Sequence, residues 1–343
     1  MKEKQVLLTF DYELFLGGYS GSVEQCMIIP TDKIHQVLSK YNLKAVFFVD
    51  TTYIYRLEEQ AIKYKQAEND LIKINNQLKQ LATEGHSLFH HFHPHWLDAL
   101  YNPSNNTWDC SNHSRFALSN LDIDQIKLII NYSDIFLRSL YPENQTPLFF
   151  GFRAGGLYSQ PFERLAPLFK EKNIKYDFSV LKGAYSDQKN YRFDYRNALN
   201  IKESFYRFEN SNTEVNPAGY FMEFTMNNFS MDFFQRILNS IYYRLNSKKD
   251  SWKRFGDGNS SGNRIQNSTR NLISNETFSI ELLNKIKVIY YYLYLKKNNA
   301  IHIISHPKLV SEHSIAAFER FLFMINKRFT INSKFDTFLE ELK

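Results

Sequence analysis

Five histidines fall within ten residues of this chain: His86, His90, His91, His93 and His95, in the run EGHSLFHHFHPHW. The whole sequence of 343 residues holds ten. Neutral imidazole is the commonest side-chain ligand for zinc and similar ions, so a cluster this dense points first to a metal site. Leu88, Phe89 and Phe92 interleave with the imidazoles. That texture excludes a solvated tag and reads as a buried strand, Ser87 to His93, turning at Pro94. Pro94 disfavours helix at His93 and suits the first turn of whatever follows. His91 then leaves the strand end while His95 sits in the next turn, and both converge on one ion.

Other polar residues stand where apolar runs end. Asp11 and Glu13 close the run Val6 to Phe10, and two carboxylates two residues apart reach a cleft together. One suits a metal and the other a base. Two imidazoles with one carboxylate leave coordination positions open for water and substrate, which marks a catalytic ion. Arg153 lies in Gly151-Phe152-Arg153-Ala154-Gly155-Gly156, where glycines let backbone approach closely and the guanidinium orients a carboxylate or binds an anion. Asp177 sits in the apolar run Tyr176 to Val180 and is expected to have an Arg or His partner. His306, in Ile303-Ile304-Ser305-His306-Pro307, closes an apolar strand and suits a general acid. His302 is expected on the opposite strand face in a structural role. His35, His113 and His313 are assigned to surface or helix positions.

The elements that must hold these residues alternate along the chain. Strands are predicted at Val6–Phe10, Ala45–Val49, Ser87–His93, Leu148–Arg153, Tyr176–Val180 and Ile301–Ser305. Helices are predicted at Asp32–Tyr41, Leu57–Ala82, Ile123–Leu140, Pro161–Lys172 and Glu312–Lys327. The run Leu71, Ile74, Leu78, Leu81 is an apolar stripe at helical spacing. This rhythm predicts an α/β fold, a distorted, closed or nearly closed (β/α) barrel whose chemistry gathers at strand C-terminal ends. Residues 1–343 are expected to form one domain. Tyr101–Asn120 reads as a long loop, and the polar stretch 246–275 as an insertion or lid, with Trp252, Arg254 and Phe255 favouring a lid.

Composition narrows the class. The net charge of +6 is spread without a long basic block, which excludes a nucleic-acid footprint and leaves acidic glycans or a membrane surface as partners. The 52 Phe and Tyr residues serve mainly as core. Cys26 and Cys110 show no metal-type pairing and no disulfide framework. The stretch MKEKQVLLTFDYE lacks a signal-peptide core, and no apolar run reaches membrane-spanning length. A cytoplasmic protein, membrane-peripheral at most, is expected.

Taken in order, these pieces resemble the five motifs of the polysaccharide deacetylase family, the NodB-homology carbohydrate esterases, and in wording the deacetylase-like proteins of bacterial surface-polysaccharide genes. TFDYE resembles the first motif, whose leading Asp is the catalytic base, here Asp11. EGHSLFHHFHPH resembles the second, with His91 and His95 matching its two metal ligands. GFRAGG resembles the third, where Arg153 would orient the base. YDFSV resembles the fourth, making Asp177 a supporting acid, and ISHP the fifth, with His306 as general acid. The match runs from Val6 to Pro307. The family's second Asp, a metal ligand directly after the base, is replaced by Tyr12. Glu13 or His93 then completes the site, or Asp11 ligates and another group is the base. The resemblance implies a divalent metal, zinc first, and removal of N-acetyl groups from a sugar in a glycan or glycan precursor. Two alternatives stand beside it: hydrolysis of a non-sugar C–N bond, and an inactive glycan-binding relative.

Overall fold

A computed structural model describes residues 2–188, 191–226, 228–259, 266–267 and 274–340. Nine strands make the main sheet: β1 (Lys2–Tyr12), β2 (Val46–Asp50), β3 (Ser87–Phe92), β4 (Phe150–Ala154), β5 (Ile174–Asp177), β6 (Phe205–Phe208), β7 (Phe221–Phe224), β8 (Ala300–Ser305) and β9 (Phe329–Asn332). Their order is β6-β7-β5-β4-β3-β2-β1-β8, with β9 also on β1. Every pairing is parallel except β6 with β7. Helices flank the sheet: α1 (Ile29–Lys40), α2 (Thr51–Ala61), α3 (Lys65–Thr83), α4 (Ile123–Ser139), α5 (Ala166–Glu171), α6 (Phe233–Asn246), α7 (Lys285–Lys297), α8 (Glu312–Asn326) and α9 (Phe335–Glu340). The α/β class and the curled sheet agree with the alternation in the sequence.

The curl stops short of closure. Among the described residues no backbone ladder joins β8 to the β6–β7 hairpin. The seam is filled by side chains instead. His302 Nδ1 lies 3.2 Å from the Thr225 carbonyl, and α9 brings Phe335 and Phe338 against Phe224. The interior is aromatic: Phe178 packs on Phe48 at 5.0 Å and on Phe224 at 4.8 Å between ring centroids. Offset and edge-to-face pairs of this kind are favoured by the ring quadrupoles.

Several boundaries differ from the predicted ones. The span Leu57–Ala82 is two helices, because Tyr64 turns to an extended conformation (φ −128°, ψ 121°) and lays its ring on Tyr101. The strand predicted at Tyr176–Val180 ends at Asp177, whose carboxylate captures the Ser179 amide and so bends the chain. The Pro161–Lys172 helix shrinks to α5. The predicted loop 101–120 contains a hairpin, Leu100–Asn102 with Thr107–Asp109, pinned where Ser20 and Trp108 exchange hydrogen bonds. Residues 254–259 form a strap between the segments 308–310 and 19–22: the Phe255 and Gly256 amides donate to the Val310 and Lys308 carbonyls, the Asn259 amide donates to the Tyr19 carbonyl, and Asp257 accepts from the Ser22 amide. A Cβ at Gly256 would sit 2.4 Å from the Lys308 oxygen. Of the predicted lid, residues 260–265 and 268–273 lie outside the described residues.

Candidate active site

Strand alternation sets the site. Residues i and i+2 share a face, so Thr9, Asp11 and Glu13 at the end of β1 all point into the barrel mouth. Tyr12 points the other way, and its hydroxyl donates to Gln77 on α3 at 2.8 Å. The position where the resembled family carries a second acid is thus turned out of the cleft. Glu13, one residue on, faces in. The same parity on β3 sends His91 and His93 inward, while His90 turns outward to Ser133 on α4.

The resulting cluster is tight and buried. Glu13 Oε2 lies 2.6 Å from His93 Nε2 and 3.3 Å from His91 Nε2. His91 Nδ1 donates to the Arg153 carbonyl at 2.8 Å, which turns Nε2 toward the centre. Donor atoms of Glu13, His91 and His93 all lie within 4.8 Å of one another, as do those of Asp11, Glu13 and His306. Glu13 belongs to both groups. A Cβ at Gly155 would come within 2.5 Å of His93 Nδ1, so the backbone there leaves room for the imidazole and little else.

Asp11 is held apart from this pair of imidazoles. Its Oδ1 accepts from Arg153 Nη1 at 2.5 Å, while Oδ2 faces His306 Nε2 at 3.4 Å and His91 Nε2 at 4.0 Å. Arg153 is fully buried. It donates to Thr9 Oγ1 and the Phe178 carbonyl and lies 4.1 Å over the Phe48 ring. Beneath it the chain of contacts continues from Thr9 Oγ1 to His302 Nε2 at 3.0 Å. His302 and His306 are four residues apart and share one strand face. The expectation that His302 faces away is corrected by that parity, although its role is structural.

The electrostatics favour a cation at the centre. Burial alone would raise Asp11, but Arg153, His91 and His306 more than reverse it and hold its carboxyl below the usual range. Burial likewise opposes ionisation of Glu13, yet Lys308, His93 and His91 bring it well below the usual value. Burial disfavours the charged form of His91, but Asp11, Glu13 and Asp50 override it and raise it to about 9. A pocket that stabilises positive charge at His91 is one where an ion would replace a proton.

Not every predicted residue joins. His95 lies within the short turn Pro94–Asp98 and stacks on Phe116 at 5.6 Å, beside His113. Neither of its ring nitrogens has a partner among the described residues. Its ring adjoins that of His93, while the donor atoms grouped within 4.8 Å of one another are those of Glu13, His91 and His93. Asp177 has no Arg or His partner among the described residues. It accepts from Ser179 and Asn212 and lies against Glu223, which burial and the Asp177 charge push well above the usual carboxylate range. Arg153 is committed to Asp11, which is why the expected pairing does not form. Ser179 Oγ in turn accepts from the Ala154 amide, so Asp177 braces the end of β4 behind Arg153.

Three neighbours were not singled out from sequence. Lys308 Nζ lies 2.8 Å from Glu13 Oε1, Glu281 Oε1 lies 3.2 Å from His306 Nδ1, and Asp50 Oδ2 accepts from Trp96 Nε1 at 2.6 Å. Asp50 closes an apolar strand as Asp11 does, a signal that was legible. Glu281 carried none. The cleft over the cluster holds about 390 Å³, and Leu157, Leu181, Met226 and Ile304 line it together with the acids.

No family model matches this chain, and neither does any curated protein. Among solved structures it is similar to a Mycobacterium smegmatis protein assigned as a polysaccharide deacetylase, at 13% identity over 98% of this chain and 89% of that one, with a TM-score of 0.49. It is similar to Puue allantoinase at 11% identity, 97% and 88% coverage and a TM-score of 0.45. It is also similar to the catalytic domain of a peptidoglycan N-acetylglucosamine deacetylase from Eubacterium rectale, at 12% identity, 96% and 88% coverage and a TM-score of 0.32.

Proposed function

We propose that this chain is a metal-dependent hydrolase that removes an N-acetyl group from a sugar in a glycan or glycan precursor, with zinc as the first candidate ion. The observation that carries the reading is Glu13 shared between two donor groups, with His91 and His93 on one side and Asp11 and His306 on the other. Glu13, His91 and His93 fit a divalent ion: two imidazoles and a carboxylate, buried, with the His91 orientation fixed from behind. An ion held there would supply Lewis acidity to the amide carbonyl and activate water.

The remaining steps fall to the chain's own residues. Asp11 Oδ2 is free of Arg153 and faces the cleft, so it takes the proton from the attacking water. Arg153 keeps Oδ1 occupied and thereby fixes which oxygen reacts. His306, held through Nδ1 by Glu281, presents Nε2 to donate a proton to the departing amine. The apolar lining at Leu157 and Leu181 suits the methyl of an acetyl group and excludes bulk water.

The experiment measures metal content and acetate release from N-acetylated sugars, for wild type and His91→Ala. One bound metal with acetate release, both lost in the variant, supports the reading. Bound metal with acetate released from no sugar, but turnover of a cyclic amide, replaces it with non-sugar C–N hydrolysis. Protein that takes up no metal even when zinc is supplied overturns the site.

A further inference from the structure

Helix α6 is built the wrong way round for a helix that serves only its own domain. It is well formed: Asp232 caps it and Gln235 returns the bond, a complete capping box. Yet among the described residues of this helix none is buried. At 100° per residue, Phe233, Phe234, Ile237, Leu238, Ile241 and Leu245 gather on one side, and each is at least 39% exposed, Phe234 reaching 76%. The opposite side meets the protein: Asn239 accepts from Asn284 at 2.8 Å, and Tyr243 lies against Trp252. One amide pair and the Tyr242 and Tyr243 rings on Trp252 thus face inward, and the aliphatic and Phe stripe faces out. A contiguous apolar surface of this kind marks an interaction site.

Charge identifies the partner. Between Phe233 and Lys249 the chain carries Arg236, Arg244, Lys248 and Lys249, and the nearest carboxylates, Asp232 and Asp250, stand only at the two ends of the segment. Two copies meeting through this face would bring these like charges together, which disfavours self-association. An anionic lipid surface satisfies both features at once, since the apolar side enters the acyl boundary while the cations meet headgroups.

We propose that α6 is an interfacial helix that docks this protein on anionic membranes. The docking orients the cleft as well. Leu282 lines both the catalytic cleft and the cavity beneath Asn239 and Tyr243, so the rim of the site lies beside the docked helix.

The test is co-sedimentation of the full chain with vesicles of phosphatidylcholine alone or with roughly one third phosphatidylglycerol. Binding is expected only to the anionic vesicles, to weaken with added salt, and to fall about tenfold or more in Phe234→Ser/Leu238→Ser. Both side chains are exposed, so the fold survives their loss; an unchanged thermal melt confirms it. Lys248→Gln/Lys249→Gln gives an independent reading and is expected to weaken binding to anionic vesicles alone. Absence of vesicle binding, or binding equal in wild type and the Phe234/Leu238 variant, overturns the proposal. So does a wild-type dimer that the same variant turns into a monomer, which would make a second copy the occupant.

Discussion

Lys308 and His93 divide the carboxylate of Glu13 between them: Lys308 Nζ takes Oε1 at 2.8 Å and His93 Nε2 takes Oε2 at 2.6 Å. Lys308 also donates to the Leu14 carbonyl, so its ammonium is fixed at two points. It therefore holds the acid with one oxygen facing the imidazoles. Replacing Lys308 with Met is expected to weaken metal affinity by about 10- to 100-fold, as loss of an outer partner of a ligand does. Lys308→Arg should recover part of it. Chelator competition on the purified proteins reads both; unchanged affinity in Lys308→Met would show that Glu13 orients itself.

The two imidazoles that follow His91 are expected to behave differently. His93→Ala should abolish stoichiometric metal binding, whereas His95→Ala should retain it, because it is His93 whose donor atom groups with those of Glu13 and His91. Metal content by elemental analysis separates them. Loss in His95→Ala with retention in His93→Ala would restore the pairing that the sequence motif implies.

Arg153 is a buried cation whose removal leaves Asp11 and Thr9 without their donor. Arg153→Met is expected to cost about 3 to 5 kcal/mol of stability, the usual consequence of breaking one side of a buried ion pair. The Asp11 pKa should rise with it, since Arg153 is the largest of the influences that hold it down. Urea denaturation checks the first statement. A variant within 1 kcal/mol of wild type, on the order of an exposed pair, would contradict it.

Acid should destabilise the fold through histidines kept neutral. Burial lowers His86, His90 and His302 to about 3. The unfolded chain binds these protons near pH 6.5 and the folded one does not, so the stability they contribute is full above 6.5 and is lost as pH falls toward 3. Each such residue contributes up to about 2 kcal/mol of this loss between pH 6.5 and 5. In His90→Gln the fall in denaturation midpoint over that interval is expected to be shallower than in wild type. Equal slopes would mean that His90 accepts its proton in the native state.

Much of the site was legible because strands carry a period of two. That period alone puts Asp11 and Glu13 on one face, removes Tyr12, and pairs His91 with His93; it also joins His302 to His306. The expectation of His95 rested on motif spacing across Pro94; the turn there leaves its ring against that of His93, with His93 the imidazole nearer Glu13. The partners Lys308 and Glu281 could not be read, since a lysine in a turn or a glutamate after an apolar run is ordinary until the chain folds. Helix α7 was missed for a different reason. Its apolar residues occupy the whole circumference, with Val288, Tyr291 and Leu295 buried and Ile289 and Leu293 exposed, so no stripe stands out. The β6–β7 hairpin escaped because its strands are only four residues long.

The pairing of β1 with strands from the far end of the chain has a kinetic consequence. The neighbours of β1 include β8 and β9, and Glu13 waits for a lysine 295 residues further along the chain. During synthesis β1 emerges with an apolar edge whose parallel partners do not yet exist. Contacts that span so much sequence form slowly, and an unpaired edge is exposed meanwhile to association with other chains. Expression at low temperature, or with chaperones that shield such edges, should therefore raise the yield of native protein, and no truncation lacking residues 300–308 can assemble the cleft.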